Sequence, residues 1–166
     1  APTAAARQRT AIWRYPLAWC VMLFMGMQSL LFYGMLSWLP EIYRDRGLDA
    51  ADAGFLLLVF NVCGIVGNLA APVLASRMAD QRRAVGATLT LYLVGLLGVL
   101  LAPASTALIW ALLLGVAQGA ALSLALLTIV LRSADSETAA KLSSMAQSGG
   151  YLLAASGPFV MGLLHA

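Results

Sequence analysis

Five long apolar stretches fill most of this 166-residue chain, and no ionisable residue lies in the middle of any of them. About 20 consecutive apolar residues are enough for a helix to cross the hydrocarbon core of a bilayer. The charged residues collect in the N-terminal tail and between the stretches. The pattern predicts an all-α, polytopic membrane helix bundle over residues 17–166, after a cytoplasmic loop or tail at residues 1–16. Its spans are predicted at about residues 17–40, 50–75, 84–102, 107–131 and 139–164.

The composition excludes a soluble domain, because 61% of the residues are hydrophobic and only 10% are charged. Soluble proteins carry about 25% charged residues. The net charge of +3 is spread over several loops and forms no continuous basic face, so no nucleic acid partner is expected. Cys20 and Cys63 fall inside apolar stretches and match no metal or redox spacing. Since no nucleophile with a base, no cofactor motif and no metal cluster stands out, we predict neither an enzyme nor a cofactor.

Basic residues set the orientation of such a bundle, because loops rich in Lys and Arg stay in the cytoplasm. The N-terminal tail and the second and fourth connections hold eight of the ten Lys and Arg residues. The sequence therefore predicts a cytoplasmic N-terminus and a C-terminal end on the outer side. The prediction is a multi-pass protein of the plasma membrane, with the lipid bilayer as its surroundings.

Residues at the span ends indicate where the helices begin. Pro16 suits the first turn of the first span, and Asp49 can cap the second. Gly47 fits the left-handed position of the preceding turn. Ser136 or Thr138 is predicted to cap the fifth span.

Six polar residues inside the spans are the candidate solute-binding residues. A buried amide in hydrocarbon must find a hydrogen-bond partner or face water. Each is therefore either part of a polar cavity or part of a contact between helices, and the sequence leaves both interpretations open. The most suggestive run is on the fifth span, where Ser144, Gln147, Ser148 and Tyr151 share one face. The predicted binding residues are Gln28, Tyr33, Asn61, Gln118, Gln147 and Tyr151.

Glycines in the spans are predicted to pack helices closely. Gly115 and Gly119 form the G-x-x-x-G spacing that lets two helix backbones approach. Gly64 shares a face with Asn61, and Gly149 and Gly150 lie beside the polar run of the fifth span. The pairs Gly149-Gly150 and Gly157-Pro158 are expected to weaken or bend that span. The predicted packing residues are Gly64, Gly115, Gly119, Gly149 and Gly150.

Three segments resemble a known family: residues 23–40 around Gln-Ser-Leu-Leu-Phe-Tyr, residues 46–54 around Arg-Gly-Leu, and residues 145–158 around Met-Ala-Gln-Ser-Gly-Gly-Tyr. On these segments the chain resembles the C-terminal half of a major facilitator superfamily transporter. The likeness is to the cyanate permease and 2-nitroimidazole transporter family. It implies that the five spans correspond to the seventh to eleventh of twelve helices. The N-terminal six-helix half and the last helix would then lie outside this sequence.

The resemblance also implies a function. In such transporters the two halves rock around a central site, which gives alternating access. The chain would belong to a secondary transporter of a small polar or anionic solute, cyanate-like or nitroimidazole-like, in a bacterial inner membrane. The alternative is a non-transporting membrane bundle or assembly subunit, in which the polar faces would be packing seams.

Overall fold

The computed structural model describes residues 16–78, 80–133 and 135–165, although the side chains of residues 81, 132 and 157–165 lie outside that description. The predicted tail at residues 1–16 therefore falls outside it, apart from Pro16. All regular structure in the described residues is helical, which confirms the all-α prediction. The five α-helices are α1 (Pro16–Asp45), α2 (Ala50–Ser76), α3 (Gln81–Leu101), α4 (Ala107–Arg132) and α5 (Ser136–His165).

The turn between α1 and α2 has the predicted chemistry. Gly47 has a φ of +92°, a left-handed conformation that favours glycine. Its N–H donates to the carbonyl of Arg44 at 2.9 Å, and this bond closes the end of α1. Asp49 then caps α2, because its Oδ1 accepts the backbone N–H of Asp52 at 2.7 Å. Both predictions for this turn are confirmed.

The start of α5 differs from the prediction. Asp135 lies before the helix, and its Oδ1 accepts the backbone N–H of Thr138 at 2.7 Å. This hydrogen bond lowers the pKa of the Asp135 carboxyl. The predicted caps, Ser136 and Thr138, are wrong because both lie inside the first turn, where Thr138 donates to a cap. A carboxylate one position earlier also suits the positive end of the helix dipole.

Four of the described helices, α1 to α4, are long and apolar enough to cross a membrane. α5 has a comparable length, but Ser144, Gln147 and Ser148 make it more polar, and it is not among those four. The helix also continues without interruption through Gly149-Gly150 and residues 157–158, so neither pair breaks it. The fifth span therefore stays a prediction.

The described chain divides into two compact units, a terminal one and a central one. The terminal unit comprises the described residues of Ala1–Tyr33 and Ala125–Ala166, and it contains most of α1 and α5. The central unit is Gly34–Leu124, which contains α2, α3 and most of α4.

Arg46 ties the α1–α2 turn to the end of α3 within the central unit. Its guanidinium donates from Nη1 to the carbonyl of Val99 at 2.6 Å and from Nη2 to the carbonyl of Leu100 at 2.9 Å. A third contact runs from Nη1 to the carbonyl of Ala102 at 3.2 Å. The last carbonyls of a helix lack partners within the helix, and a cation there is favoured by the helix dipole. Arg46 therefore satisfies the C-terminal end of α3.

We expect Arg46→Met to lower the thermal stability of the full-length protein in detergent, by about 1 to 2 kcal/mol in the free energy of unfolding, because hydrogen bonds to a charged group are lost. The matched control is Arg44→Met, which removes only an exposed pair with Glu41 at 3.2 Å, and exposed pairs contribute little. Melting curves followed by intrinsic fluorescence measure both. Equal melting temperatures for the two variants would contradict the proposed role of Arg46.

Candidate functional site

The polar run on α5 forms an exposed face of the terminal unit. Ser144, Ser148 and Tyr151 are all exposed, and Tyr151 is 47% exposed. At 100° per residue these three side chains lie within one narrow sector of the helix. Gln147 lies at the edge of this sector and is half-buried, and its Nε2 donates to Ser143 Oγ at 2.7 Å.

Gln28, in contrast, lies in the middle of the buried face of α1. It is 5% exposed. Its Nε2 donates to Ser29 Oγ at 2.7 Å, and Met25 Sδ lies 3.5 Å from the same nitrogen. This burial favours a structural hydrogen bond over a water-facing role. Tyr33, five residues later, is 40% exposed, and its ring packs edge-on against Phe32 with the ring centroids 5.4 Å apart.

Glycines let α1 and α5 approach closely in the terminal unit. A methyl group added at Gly150 would lie 3.1 Å from the backbone nitrogen of Gly26. One added at Gly26 would lie 3.1 Å from the Cα of Gly150. At Gly149 the neighbour is the thioether of Met22. Since Gln28 and Gln147 each lie within one turn of this crossing, the structure brings the two helix segments that carry them together.

The central unit contains a second crossing, between α2 and α4. A methyl group added at Gly119 would meet the carbonyl oxygen of Gly64 and would lie 2.7 Å from the backbone nitrogen of Asn68. One added at Gly115 would meet the carbonyl of Phe60. At Gly64 the nearest atom, the carbonyl oxygen of Gly115, is 3.5 Å away, which is an ordinary contact. The G-x-x-x-G face of α4 thus lies directly against α2.

The two remaining candidates lie in this central unit. Gln118 precedes Gly119 and is 5% exposed. Asn61 is half-buried on α2, and its Nδ2 donates to the carbonyl of Leu57 in the same helix at 2.8 Å. The six predicted residues are therefore divided: Gln28, Tyr33, Gln147 and Tyr151 belong to the terminal unit, and Asn61 and Gln118 to the central unit. Tyr33 and Tyr151 are the two that are exposed.

Four residues that take part in these helix contacts and hydrogen bonds were not predicted from the sequence. Gly26 is the partner of Gly150, and Gly67 is so close to α4 that an added methyl group would lie 2.9 Å from the Cα of Val116. Ser29 and Ser143 accept the amides of Gln28 and Gln147. The spacing of Gly67 three residues after Gly64 could have indicated a shared face. A serine next to, or four residues before, a glutamine could likewise have indicated an internal partner.

Among the described residues no three His, Cys, Asp or Glu side chains come together as a metal site. Hydroxyl, phenol and amide groups thus supply the polar chemistry of the α5 face and the α1–α5 crossing. These groups bind through hydrogen bonds rather than through charge.

Known proteins resemble this chain over most of its length. The family model described as Major Facilitator Superfamily matches residues 1–158. The chain is 45% identical to an uncharacterized transporter, YycB, of Bacillus subtilis strain 168, over 95% of the chain and 39% of that protein. It is 40% identical to the 2-nitroimidazole transporter of Escherichia coli K12, over 98% of the chain and 41% of that protein. The cyanate transport protein CynX of the same strain is 30% identical over 90% of the chain and 39% of its own length.

The chain thus spans about two fifths of the length of the curated relatives it matches. No solved structure matches it significantly. The relatives are named as transporters, which confirms the prediction that the chain is not an enzyme.

We expect Gly119→Ala to destabilise the full-length protein by about 1 to 3 kcal/mol, as overpacking of a tight contact does. The added methyl group would meet backbone atoms of α2, which cannot move aside alone. Gly64→Ala in the same crossing is the control and should stay within about 1 kcal/mol of wild type, because its new contact is ordinary and alanine favours helix. Thermal unfolding in detergent measures both variants. A Gly119→Ala protein as stable as the Gly64→Ala protein would contradict the close α2–α4 contact.

Proposed function

The chain belongs to the Major Facilitator Superfamily, and we propose that it forms five helices of a secondary transporter that moves a small polar solute across a bacterial plasma membrane by alternating access. The names of the relatives support transport in general. The five helices would be the seventh to eleventh of twelve. The other six-helix half and the last helix would complete the bundle.

The observation that carries the proposal is the exposed polar face of α5. Ser144, Ser148 and Tyr151 are exposed in a helix that we predict to cross the membrane. Facing hydrocarbon would deprive these hydroxyl groups of their hydrogen bonds to water. This cost supports a face that meets water or another part of the full protein. A central path between two transporter halves provides both.

The chemistry of this face suits a neutral polar solute better than an ion. Gln147 and Tyr151 offer donors and acceptors, and the exposed phenol ring of Tyr151 can stack on a planar molecule. The spans of this chain contain no cation near mid-membrane. A nitroimidazole-like solute fits these groups. A cyanate-like anion would take its counter-charge from the other half of the protein, where the coupling to protons would also reside.

The orientation follows from the charges outside the spans. With eight of ten Lys and Arg in the tail and the second and fourth connections, these segments are proposed to face the cytoplasm. α1, α3 and α5 would then run outward, and the turn closed by Gly47 and Asp49 would lie on the outer side.

A second candidate function is a non-transporting bundle whose polar residues only hold helices together. Two observations favour it. The Asn61 amide donates to a carbonyl of its own helix, and the Gln28 amide donates to the neighbouring Ser29. Both amides are thus used locally. The two functions differ in whether water reaches the α5 face.

We expect Gln147→Ala and Tyr151→Phe to reduce solute flux about tenfold at low solute concentration, since each loses roughly one hydrogen bond worth about 1.4 kcal/mol. Full-length protein in liposomes, tested with 2-nitroimidazole in both directions, gives the measurement. Thr90→Ala is the control, because this exposed hydroxyl donates to the carbonyl of Gly86 in its own helix. Wild-type flux in both α5 variants would show that neither Gln147 nor Tyr151 binds the solute.

Water access is tested by thiol labelling of the full-length protein after its two cysteines here, Cys20 and Cys63, are replaced. Tyr151→Cys should react with a membrane-impermeant maleimide, and its reaction should slow when solute is present. Gln118→Cys, which replaces a buried side chain in the α2–α4 crossing, should react at least tenfold more slowly. An inert Tyr151→Cys would favour the packing seam of the second candidate function.

A further inference from the structure

An apolar groove lies in the central unit between α2, α3 and α4, and none of the six predicted solute residues is among the residues that line it. Its volume is about 190 Å³. An apolar cavity of about 150 Å³ is known to accommodate benzene. The described residues that line the groove are Gly67, Ala70, Ala71, Leu74, Met78, Ala84, Ala87, Thr88, Leu91, Val116, Ala120 and Leu124.

The lining of the groove carries almost no polar chemistry. Thr88 is the one lining residue with a polar side chain, and its hydroxyl donates to the carbonyl of Ala84 at 2.9 Å. A polar solute would therefore find no partner there. The groove opens beside exposed apolar side chains, among them Leu74 at 58% and Met78 at 43% exposure. In a membrane such a surface meets hydrocarbon or another apolar helix.

Three arginines stand at one end of this groove. Arg77 precedes the lining residue Met78, and Arg83, with Arg82 before it, precedes the lining residue Ala84. All three side chains are exposed, and none forms an ion pair within the described part of the chain. One acid, Asp80, lies between them, and its carboxylate accepts the backbone N–H of Arg82 at 2.9 Å. The end of the groove therefore carries a net positive charge.

The groove is short enough to lie within one leaflet. On α2 its lining residues run from Gly67 to Leu74, a rise of about 10 Å at 1.5 Å per residue, and Met78 follows just after the helix ends at Ser76. The hydrocarbon core is about 30 Å thick, so half of it is about 15 Å. The groove thus begins at a charged end and extends into the same leaflet.

We propose that this groove is a binding site for an anionic phospholipid of the leaflet that contains the α2–α3 connection. One acyl chain lies along the groove, and the phosphate interacts with Arg77, Arg82 and Arg83. Arginine suits phosphate because its planar guanidinium donates two hydrogen bonds at once. Basic pockets between helices on the cytoplasmic side bind acidic head groups. An apolar helix of the same protein is the alternative occupant of the groove, and the three arginines would then act only on the orientation of the chain.

The test is native mass spectrometry of the full-length protein, with all of its flanking sequence, in detergent with added lipid. The two probes are palmitoyl-oleoyl phosphatidylglycerol and the phosphatidylcholine with the same acyl chains. The wild type should bind phosphatidylglycerol at least tenfold more tightly. Arg82→Gln with Arg83→Gln should lower its affinity about fivefold for each arginine removed, about 1 kcal/mol each. Arg44→Gln, in the last turn of α1, should change nothing.

The acyl chain is tested by a neighbouring pair of substitutions on α3. Ala87→Phe should fill the groove and reduce binding of both lipids about tenfold. Gly86→Phe adds the same side chain one residue earlier, at an exposed position outside the groove lining where nothing lies within 4 Å, and should leave binding unchanged. If Ala87→Phe does not fold, the double variant Arg82→Gln with Arg83→Gln still tests the proposal. Both of its side chains are exposed, so their replacement should leave the fold intact.

Three results would overturn the proposal. One is equal binding of the two lipids by wild type. Another is a loss in Arg44→Gln as large as in the arginine pair. The third is unchanged lipid binding in a folded Ala87→Phe protein, which would mean that another helix of the full protein or no ligand covers the groove.

Discussion

Hydrocarbon offers no hydrogen-bond partners and no hydrophobic driving force between helices, and this constraint shapes the whole chain. The backbone must satisfy itself within helices, and close packing must hold those helices together. Two crossings meet this requirement in the same way, Gly26 against Gly150 in the terminal unit and Gly64 against Gly119 in the central unit. At both, the absence of a side chain lets backbone contact backbone. The polar side chains are then arranged around contacts that they do not themselves create.

Arginines have different roles at the two ends of the central unit. Arg46 is committed to the last carbonyls of α3, so its charge is used inside the protein. Arg77, Arg82 and Arg83 are exposed, and none of them forms an ion pair in the described part of the chain. The same residue type thus closes a helix at one end and, in the proposed lipid site, binds a phosphate at the other. The count of basic residues per loop, which predicts orientation, does not distinguish these roles.

Local chemistry could be predicted from the sequence, and contacts between distant segments could not. Gly47 and Asp49 were predictable because a left-handed turn and a cap need only neighbouring residues. Asp135 was missed because Ser136 and Thr138 are equally good caps by type, and only the start of the helix chooses between them. The contact of Arg46 with Val99 joins residues 53 apart, and no local pattern encodes it. Single glycines such as Gly26 are common in apolar helices and reveal no partner. The exposure of Tyr151 likewise depends on which helices pack beside it.

In the proposed transporter, the bond between Gln147 and Ser143 has a consequence for the empty solute site. A buried amide donor that has lost its hydrogen bond costs about 1 to 3 kcal/mol. The Nε2 of Gln147 keeps an acceptor on its own helix, so this donor would carry no such cost in the empty site. A solute that accepts from Gln147 would replace Ser143 as the acceptor. Such an exchange would give modest affinity and rapid release, which are the properties that a carrier needs in order to reset.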